Sequence, residues 1–317
     1  MSALPTRRLG DSDLQVSVVG LGCNNFGRRV DVEGTRAVVG AALEVGVTFF
    51  DTADIYGSGG ASESLLAEAL RGRRDEVVLA TKFGMDFGDA EGKPDAPRGS
   101  APYIRWAVEG SLRRLQTDVI DLYQYHEPDG VTPIAETLGV LDELVREGSV
   151  RAVGCSNFSA PQLEQAEQVA REAGYAHFVS LQNEYNLIKR GLEADLAPLC
   201  ERYGVGILPF YPLASGLLTG KYRRGEAAPP NTRLGERERV ATDDHFDAVE
   251  ALREYADDRG LSLLEVAIAG LAAQPAVASV IAGARSPDQV RANAAAALAW
   301  EPSDVDLQGL DEIAPGP

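Results

Sequence analysis

Four side chains able to carry protons stand at the ends of apolar runs. Phe49-Phe50 ends in Asp51, and Tyr56 follows five residues later, past Thr52-Ala53-Asp54-Ile55. Leu79-Ala80-Thr81 ends in Lys82, and Leu122-Tyr123-Gln124-Tyr125 ends in His126. Further along, Val153-Gly154-Cys155 runs into Ser156-Asn157, and Ser180-Leu181 into Gln182. Ser156 or Gln182 alone would read as a satisfied structural polar group, and Tyr56 alone as a surface tyrosine before the flexible Gly57-Ser58-Gly59-Gly60. An acid, a lysine, a tyrosine and a histidine delivered by neighbouring elements are different. Such a set can hand a proton to a bound molecule, or take one, with the charges around it tuning the donor.

The elements that must position them alternate between short β-type runs and longer helical ones. Strand-like runs at 18–21, 47–50, 77–81, 120–125, 151–155, 178–182, 206–211 and 279–281 precede helical stretches at 32–44, 63–70, 103–115, 134–146, 162–172, 192–202, 244–258 with 262–273, and 287–299. Ile104, Val108, Leu112 and Leu115 show the helical spacing. Ser159-Ala160-Pro161 and Ser286-Pro287-Asp288 place a capping residue before an early helical proline. The strands are near-continuously apolar, as in a parallel sheet covered on both faces. Eight strand-helix units with no composition break predict a (β/α)8 TIM barrel, a single domain over 1–317, in preference to a doubly wound sheet. Barrel chemistry gathers where strands end, which is where these polar residues fall. Before the first unit, 7–10 and 14–16 read as a β-hairpin capping the barrel bottom. Residues 221–240, rich in Arg, Glu, Gly and Pro, read as a mobile surface loop, and the alanine-rich 292–299 as helix.

Composition narrows the function. The chain has 317 residues, 44% hydrophobic and 25% charged, with 48 acidic against 30 basic residues and a net charge of −18. That balance opposes binding to nucleic acid or anionic lipid. No apolar run is long enough for a membrane span and no leader is read at the N-terminus. Three cysteines (Cys23, Cys155, Cys200) suit a reducing cytoplasm. His126, His177 and His245 lack metal-ligand spacing, so no metal is expected. No obligate protein partner is visible.

Six ordered segments resemble the aldo-keto reductase family, in the style of its bacterial, potassium-channel-β-like branch. They are Phe50-Asp51-Thr52-Ala53-Asp54-Ile55-Tyr56-Gly57, Ala80-Thr81-Lys82-Phe83-Gly84, Asp121-Leu122-Tyr123-Gln124-Tyr125-His126, Val153-Gly154-Cys155-Ser156-Asn157-Phe158, the run from Pro212 to Lys221, and Ile281-Ala282-Gly283-Ala284-Arg285 with Asn293. The likeness spans roughly residues 9–299. It implies NADPH-dependent reduction of small aldehydes or ketones, with Tyr56 as proton donor, Lys82 and Asp51 tuning it, and His126 holding the substrate oxygen. Tyrosine has an ordinary pKa of about 10. An ammonium about 4 Å from a tyrosinate, at an effective dielectric of about 20, attracts it by roughly 4 kcal/mol before desolvation is subtracted. Lys82 is therefore expected to draw Tyr56 downward.

The resemblance also implies an NADP(H) site. Ser156, Asn157 and Gln182 would face the nicotinamide carboxamide, and Phe210, with Tyr211, Pro212 and Leu213 beside it, would stack on the ring. Ser215, Gly216 and Leu217 would meet the pyrophosphate, with Lys221 nearby. Gly22 and Cys23 lie at the first strand's rim, Ile281 and Gly283 at the last. Arg285, on a loop opening a helix, would pair with a 2′-phosphate, and Gln289 and Asn293 would face the adenine. Some relatives have Lys where Gly283 stands and Arg where Gln289 stands, so the NADP preference leans on Arg285.

Other readings are weaker. Gly20-Leu21-Gly22 opens like a dinucleotide fingerprint, but Asn25 occupies the third glycine position. Cys23 has no His or Asn partner for nucleophilic work. Trp106 and Trp300 read as packing residues, and Lys189 and Arg190 as a solvated loop pair. Loops at 24–29, 85–98 and 221–240 would set specificity, with Phe26 and Met85-Asp86-Phe87 lining the pocket. Arg28 and Arg29 would be surface arginines or receivers of a substrate carboxylate. Two rival functions stand: an NADP(H)-binding regulatory or sensor barrel with vestigial turnover, and a lyase using Lys82 as a Schiff base, which a charge-holding Asp51 opposes.

Overall fold

The computed structural model describes residues 4–229, 232, 235, 241–314 and 316. A two-stranded antiparallel hairpin, β1 (Thr6–Arg8) with β2 (Gln15–Ser17), leads into eight parallel strands. These are β3 (Val19–Gly22), β4 (Phe49–Asp51), β5 (Val78–Phe83), β6 (Ile120–Tyr125), β7 (Val150–Ser156), β8 (Phe178–Gln182), β9 (Gly206–Ile207) and β10 (Val280–Gly283). Each pairs with its sequence neighbour, and β10 returns to pair with β3. A parallel bridge between Ile207 and Val277, together with Ala278 N–H donating to Ile207 and Ile281 N–H to Pro209, ties β9 to the segment entering β10. The result is a (β/α)8 barrel.

Helices α1 (Val32–Glu44), α2 (Ala61–Ala69), α3 (Ala101–Leu115), α4 (Ile134–Glu147), α5 (Ala160–Ala173) and α6 (Leu196–Tyr203) follow β3 to β8, and α7 (Asp243–Asp257), α8 (Leu263–Ala272) and α9 (Pro287–Ala299) complete the ring. Caps fix several starts: Asp31 accepts from Gly34 N–H, and Ser262 and Glu265 satisfy each other's amides. The strand period decides which side chains fill the barrel. Phe49, Ala80, Leu122 and Ala152 face inward beside Leu9, Leu14 and Val16 of the hairpin segment. Phe50, Leu79, Phe83, Tyr123 and Tyr125 face outward into the larger core under the helices. The hairpin therefore caps the barrel bottom, as its apolar residues require.

Three sequence expectations change. The strand expected over 206–211 is only two residues long, because Pro209 and Pro212 lack the N–H a ladder needs. An additional helix, α10 (Asp304–Ile313), is capped by Ser303 and Asp306 and buries Leu310. Arg190 is not a solvated loop residue: it is buried, donating to Glu193 and the Ala314 carbonyl and pairing with Asp311, which ties α10 to the barrel. Of the loop 221–240, residues 230, 231, 233, 234 and 236–240 lie outside the described residues. Among the described residues, no helix is long and apolar enough to cross a membrane, and no group of three or more metal-ligating side chains forms.

Candidate active site

Strand register brings the proton-carrying residues together. Asp51 on β4 and Lys82 on β5 take inward positions, Asp51 in register with Ala80 and Lys82 with Gln124 of β6. His126 follows β6 directly, its N–H bonded to the Phe83 carbonyl at 2.8 Å. Tyr56 comes from the loop between β4 and α2. That loop is pinned by Tyr56 N–H on the Ala53 carbonyl, Ser62 N–H on the Tyr56 carbonyl, and a 2.8 Å bond between the Thr52 and Ser62 hydroxyls.

The buried Lys82 ammonium donates to Asp51 Oδ2 at 2.7 Å, to the Thr52 carbonyl at 2.8 Å and to the Tyr56 hydroxyl at 3.5 Å. The Tyr56 and His126 rings meet edge to face, with centroids 5.7 Å apart. Burial works against the Lys82 charge, but Asp51 and Tyr56 outweigh it and raise the ammonium above its ordinary range. Lys82 is thus held charged, unlike an amine freed for Schiff-base chemistry.

Burial has the larger say at Tyr56. It pushes the hydroxyl above its usual value, and Lys82 pulls back only part of the way. The downward shift expected from Lys82 alone is therefore reversed, because removing water disfavours the tyrosinate more than the ammonium favours it. Burial, with Lys82 adding to it, drives His126 well below the usual imidazole range, so the ring is neutral. Its Nδ1 is buried without a partner.

These residues line one end of a cavity of about 770 Å3. Asp51, Tyr56 and His126 reach its wall, while Lys82 sits fully buried beneath. The same wall includes Gly22, Ser156, Asn157, Gln182, Phe210, Tyr211, Pro212, Leu213, Ser215, Gly216, Lys221, Ile281, Gly283, Arg285, Gln289 and Asn293. Cys23 and Leu217 are placed differently, with side chains buried in the core. The wall also holds Asn24, Arg29, Ile55 and Met85. Phe26 is core rather than lining, and Phe87 packs against Trp106.

The loop after β9 is shaped by strain. Tyr211, Ala214 and Ser215 have φ of 51°, 46° and 59°, left-handed values that L side chains rarely adopt. Gly216, at φ 99°, holds a backbone conformation that L side chains rarely adopt, and a Cβ there would also displace the flexible end of Lys221, 2.8 Å away. Ser215 Oγ is buried without a partner on this loop. At the far wall, Ser286 caps α9 by accepting from Gln289 N–H, while Gln289 Oε1 accepts from Arg285 N–H at 2.8 Å.

Glu184 and Gln124 are among the polar residues that sequence reasoning missed. Glu184 lies on the cavity wall, paired with Lys189 at 2.6 Å. Gln124 is buried below the cavity and bonded to Asp51. A glutamine within an apolar strand gave no local sign of its partner, although it stands two residues before His126 and so faces the same way as Lys82.

Comparison with known proteins gives consistent matches. The model of the aldo/keto reductase family matches residues 18–315. The chain is 36% identical over 298 residues to a rice (Oryza sativa) protein named as a probable voltage-gated potassium channel subunit beta, covering 90% of this chain and 89% of that one. It is 36% identical over 316 residues to the uncharacterized oxidoreductase YrpG of Bacillus subtilis, covering 98% and 95%. Among solved structures, the holo form of an aldo-keto reductase from Bacillus halodurans superposes with a TM-score of 0.79 at 33% identity, covering 98% of this chain and 96% of that one.

Proposed function

The chain belongs to the aldo/keto reductase family, and on that premise we propose that it reduces small aldehydes and ketones to alcohols with NADPH, Tyr56 giving the proton. The observation that carries this reading is the Tyr56 hydroxyl lying 3.5 Å from an ammonium that is itself held 2.7 Å from Asp51, with neutral His126 alongside.

The residues present fit a nicotinamide dinucleotide. Ser215 Oγ, a buried hydroxyl without a partner, and the side-chain-free Gly216 suit a pyrophosphate passing close to the backbone. Arg285 and Lys221 on the same wall suit anionic groups, and Arg285, which shares that wall with Gln289 and Asn293, would pair with a 2′-phosphate. The Phe210 ring offers a stacking face. When bound, the reduced dinucleotide supplies the hydride that the carbonyl carbon takes up.

The chain's own residues handle the oxygen. Tyr56 O–H and His126 Nε2–H donate to the carbonyl oxygen, polarising it and fixing its position. As charge develops on that oxygen, the Tyr56 proton passes to it and an alcohol results. Lys82 faces the tyrosinate left behind and lowers its energy, and Asp51 keeps Lys82 oriented. Tyr56 then regains a proton from solvent. Its upward-shifted hydroxyl means that the acid form needed for reduction is present throughout the neutral range.

The similarity to a channel β subunit keeps a second reading in view, a nucleotide-binding sensor with vestigial turnover. One experiment separates them. The protein is titrated with NADPH and then NADH by quenching of its intrinsic fluorescence, and assayed on a panel of aldehydes and ketones. Tight NADPH binding, weak NADH binding and multiple turnovers are expected; equal affinities would remove the Arg285 argument, and binding without turnover would favour the sensor. Tyr56→Phe should lower the rate about a hundredfold or more while nucleotide affinity holds. Full activity in that variant would sink the proton-donor role.

A further inference from the structure

The Asp51–Lys82 pair is itself held by a glutamine pair. Asp51 Oδ1 accepts from Gln124 Nε2 at 3.0 Å and from Gln182 Nε2 at 2.9 Å, and Gln182 Nε2 also donates to Gln124 Oε1 at 3.1 Å. A carboxylate only accepts, so both glutamines turn their nitrogens toward it. Gln182 then has both amide hydrogens committed, one to Asp51 and one to Gln124. Its carbonyl oxygen is the polar atom left to offer a ligand, and Gln182 lines the cavity.

Gln124 is fully buried beneath that wall. An amide out of water is unfavourable unless its hydrogen bonds are made. The barrel also makes room for it: a Cβ on Gly154, its partner on β7, would lie 3.2 Å from Gln124 Cγ and 2.2 Å from Ser180 Oγ. The network joins β4, β5, β6 and β8, and the titratable groups facing Asp51 and Lys82 are Tyr56, His126, Cys23 and Asp54.

We propose that Gln124 is a positioning residue for the reduction: it fixes the Asp51 carboxylate that pairs with Lys82, and it locks the Gln182 amide so that its carbonyl oxygen accepts from the nicotinamide carboxamide. The inference rests on the reductase reading above. One buried amide thereby links the proton-donating side of the site to the cofactor side.

Two variants test it. Gln124→Leu keeps the volume and removes both hydrogen bonds. NADPH affinity and kcat should each fall about tenfold, since bonds to charged or buried partners are the stronger kind, and the pH profile of kcat should move with them. Gln124→Glu is the discriminating variant. Beside Asp51 and out of water, a glutamate there holds its proton above the usual range. Protonated, it can donate to Asp51 and accept from Gln182; ionised, it can only repel Asp51. Its rate and NADPH affinity should approach wild type at low pH and fall away as pH rises, a limb that wild type lacks. Wild-type affinity and pH profile in Gln124→Leu would overturn the proposal. So would a Gln124→Glu enzyme showing no pH-dependent recovery, which is what mere packing predicts, and this variant carries the test should the leucine variant fold poorly. A wild-type protein that neither binds NADPH nor reduces carbonyls would instead overturn the reductase reading.

Discussion

Tyr56, Lys82 and Asp51 illustrate how burial and pairing compete over a distance of a few ångströms. Lys82 is charged because Asp51 and Tyr56 offset its desolvation, while Tyr56 stays protonated because desolvation wins. Close by, Asp54 follows a third course. It is 1% exposed, and burial, joined by the neighbouring Glu63 charge, pushes its carboxyl well above the usual carboxylate range. In the unfolded chain the same group releases its proton near pH 4. Below that pH both states are protonated, so nothing is lost; as pH rises toward the folded value, only the unfolded state gains from ionising, and stability falls. Asp54→Asn removes this penalty. The gap in urea midpoint between the variant and wild type should open as pH rises from about 4 into the neutral range. A gap independent of pH would show that the carboxyl ionises alike in both states.

At the level of elements, the hairpin and the strand ends divide the labour between the barrel's two mouths. Leu9 is fully buried with Phe49, Ala80 and Leu122, at the end away from the cavity. Leu9→Ala should cost about 2–5 kcal/mol by urea unfolding, with NADPH affinity unchanged. A loss of affinity larger than the loss of stability explains would mean that the bottom plug shapes the top. The elements themselves were largely readable, since buried parallel strands are apolar runs and capped helices carry Ser-Pro and Asp signals. What escaped were the elements with weak local signals. In α10, Val305 is 73% exposed and only Leu310 is deeply buried, so its apolar stripe is thin. Strand β9 is cut short by Pro209, where an apolar run of the right length suggested more.

For the whole molecule, we propose that the described residues fold as one cooperative unit, because the inner cluster draws on the hairpin and on most of the barrel strands. Trp106 on α3 and Trp300 after α9 report from separate helices. Urea transitions followed by tryptophan fluorescence and by far-ultraviolet circular dichroism should therefore coincide, and two separated transitions would overturn the single-domain reading. NADPH at about 100 times its dissociation constant should add about 2.7 kcal/mol to that stability, with NADH at the same concentration adding less.

The strand-helix count, the barrel, the hairpin and the rim residues Asp51, Tyr56, Lys82 and His126 were all legible in the chain alone. Their signals are local: apolar runs mark strands, and the polar residue ending each run marks the mouth where chemistry gathers. Tertiary structure decided the rest. Whether Tyr56 is raised or lowered depends on how much water is excluded around it, and that is set by residues from several strands. Gln124 and Gln182 reach Asp51 across 73 and 131 residues of chain. No periodicity records such a meeting, because it depends on register and closure of the sheet, which bring distant side chains to one level inside the barrel.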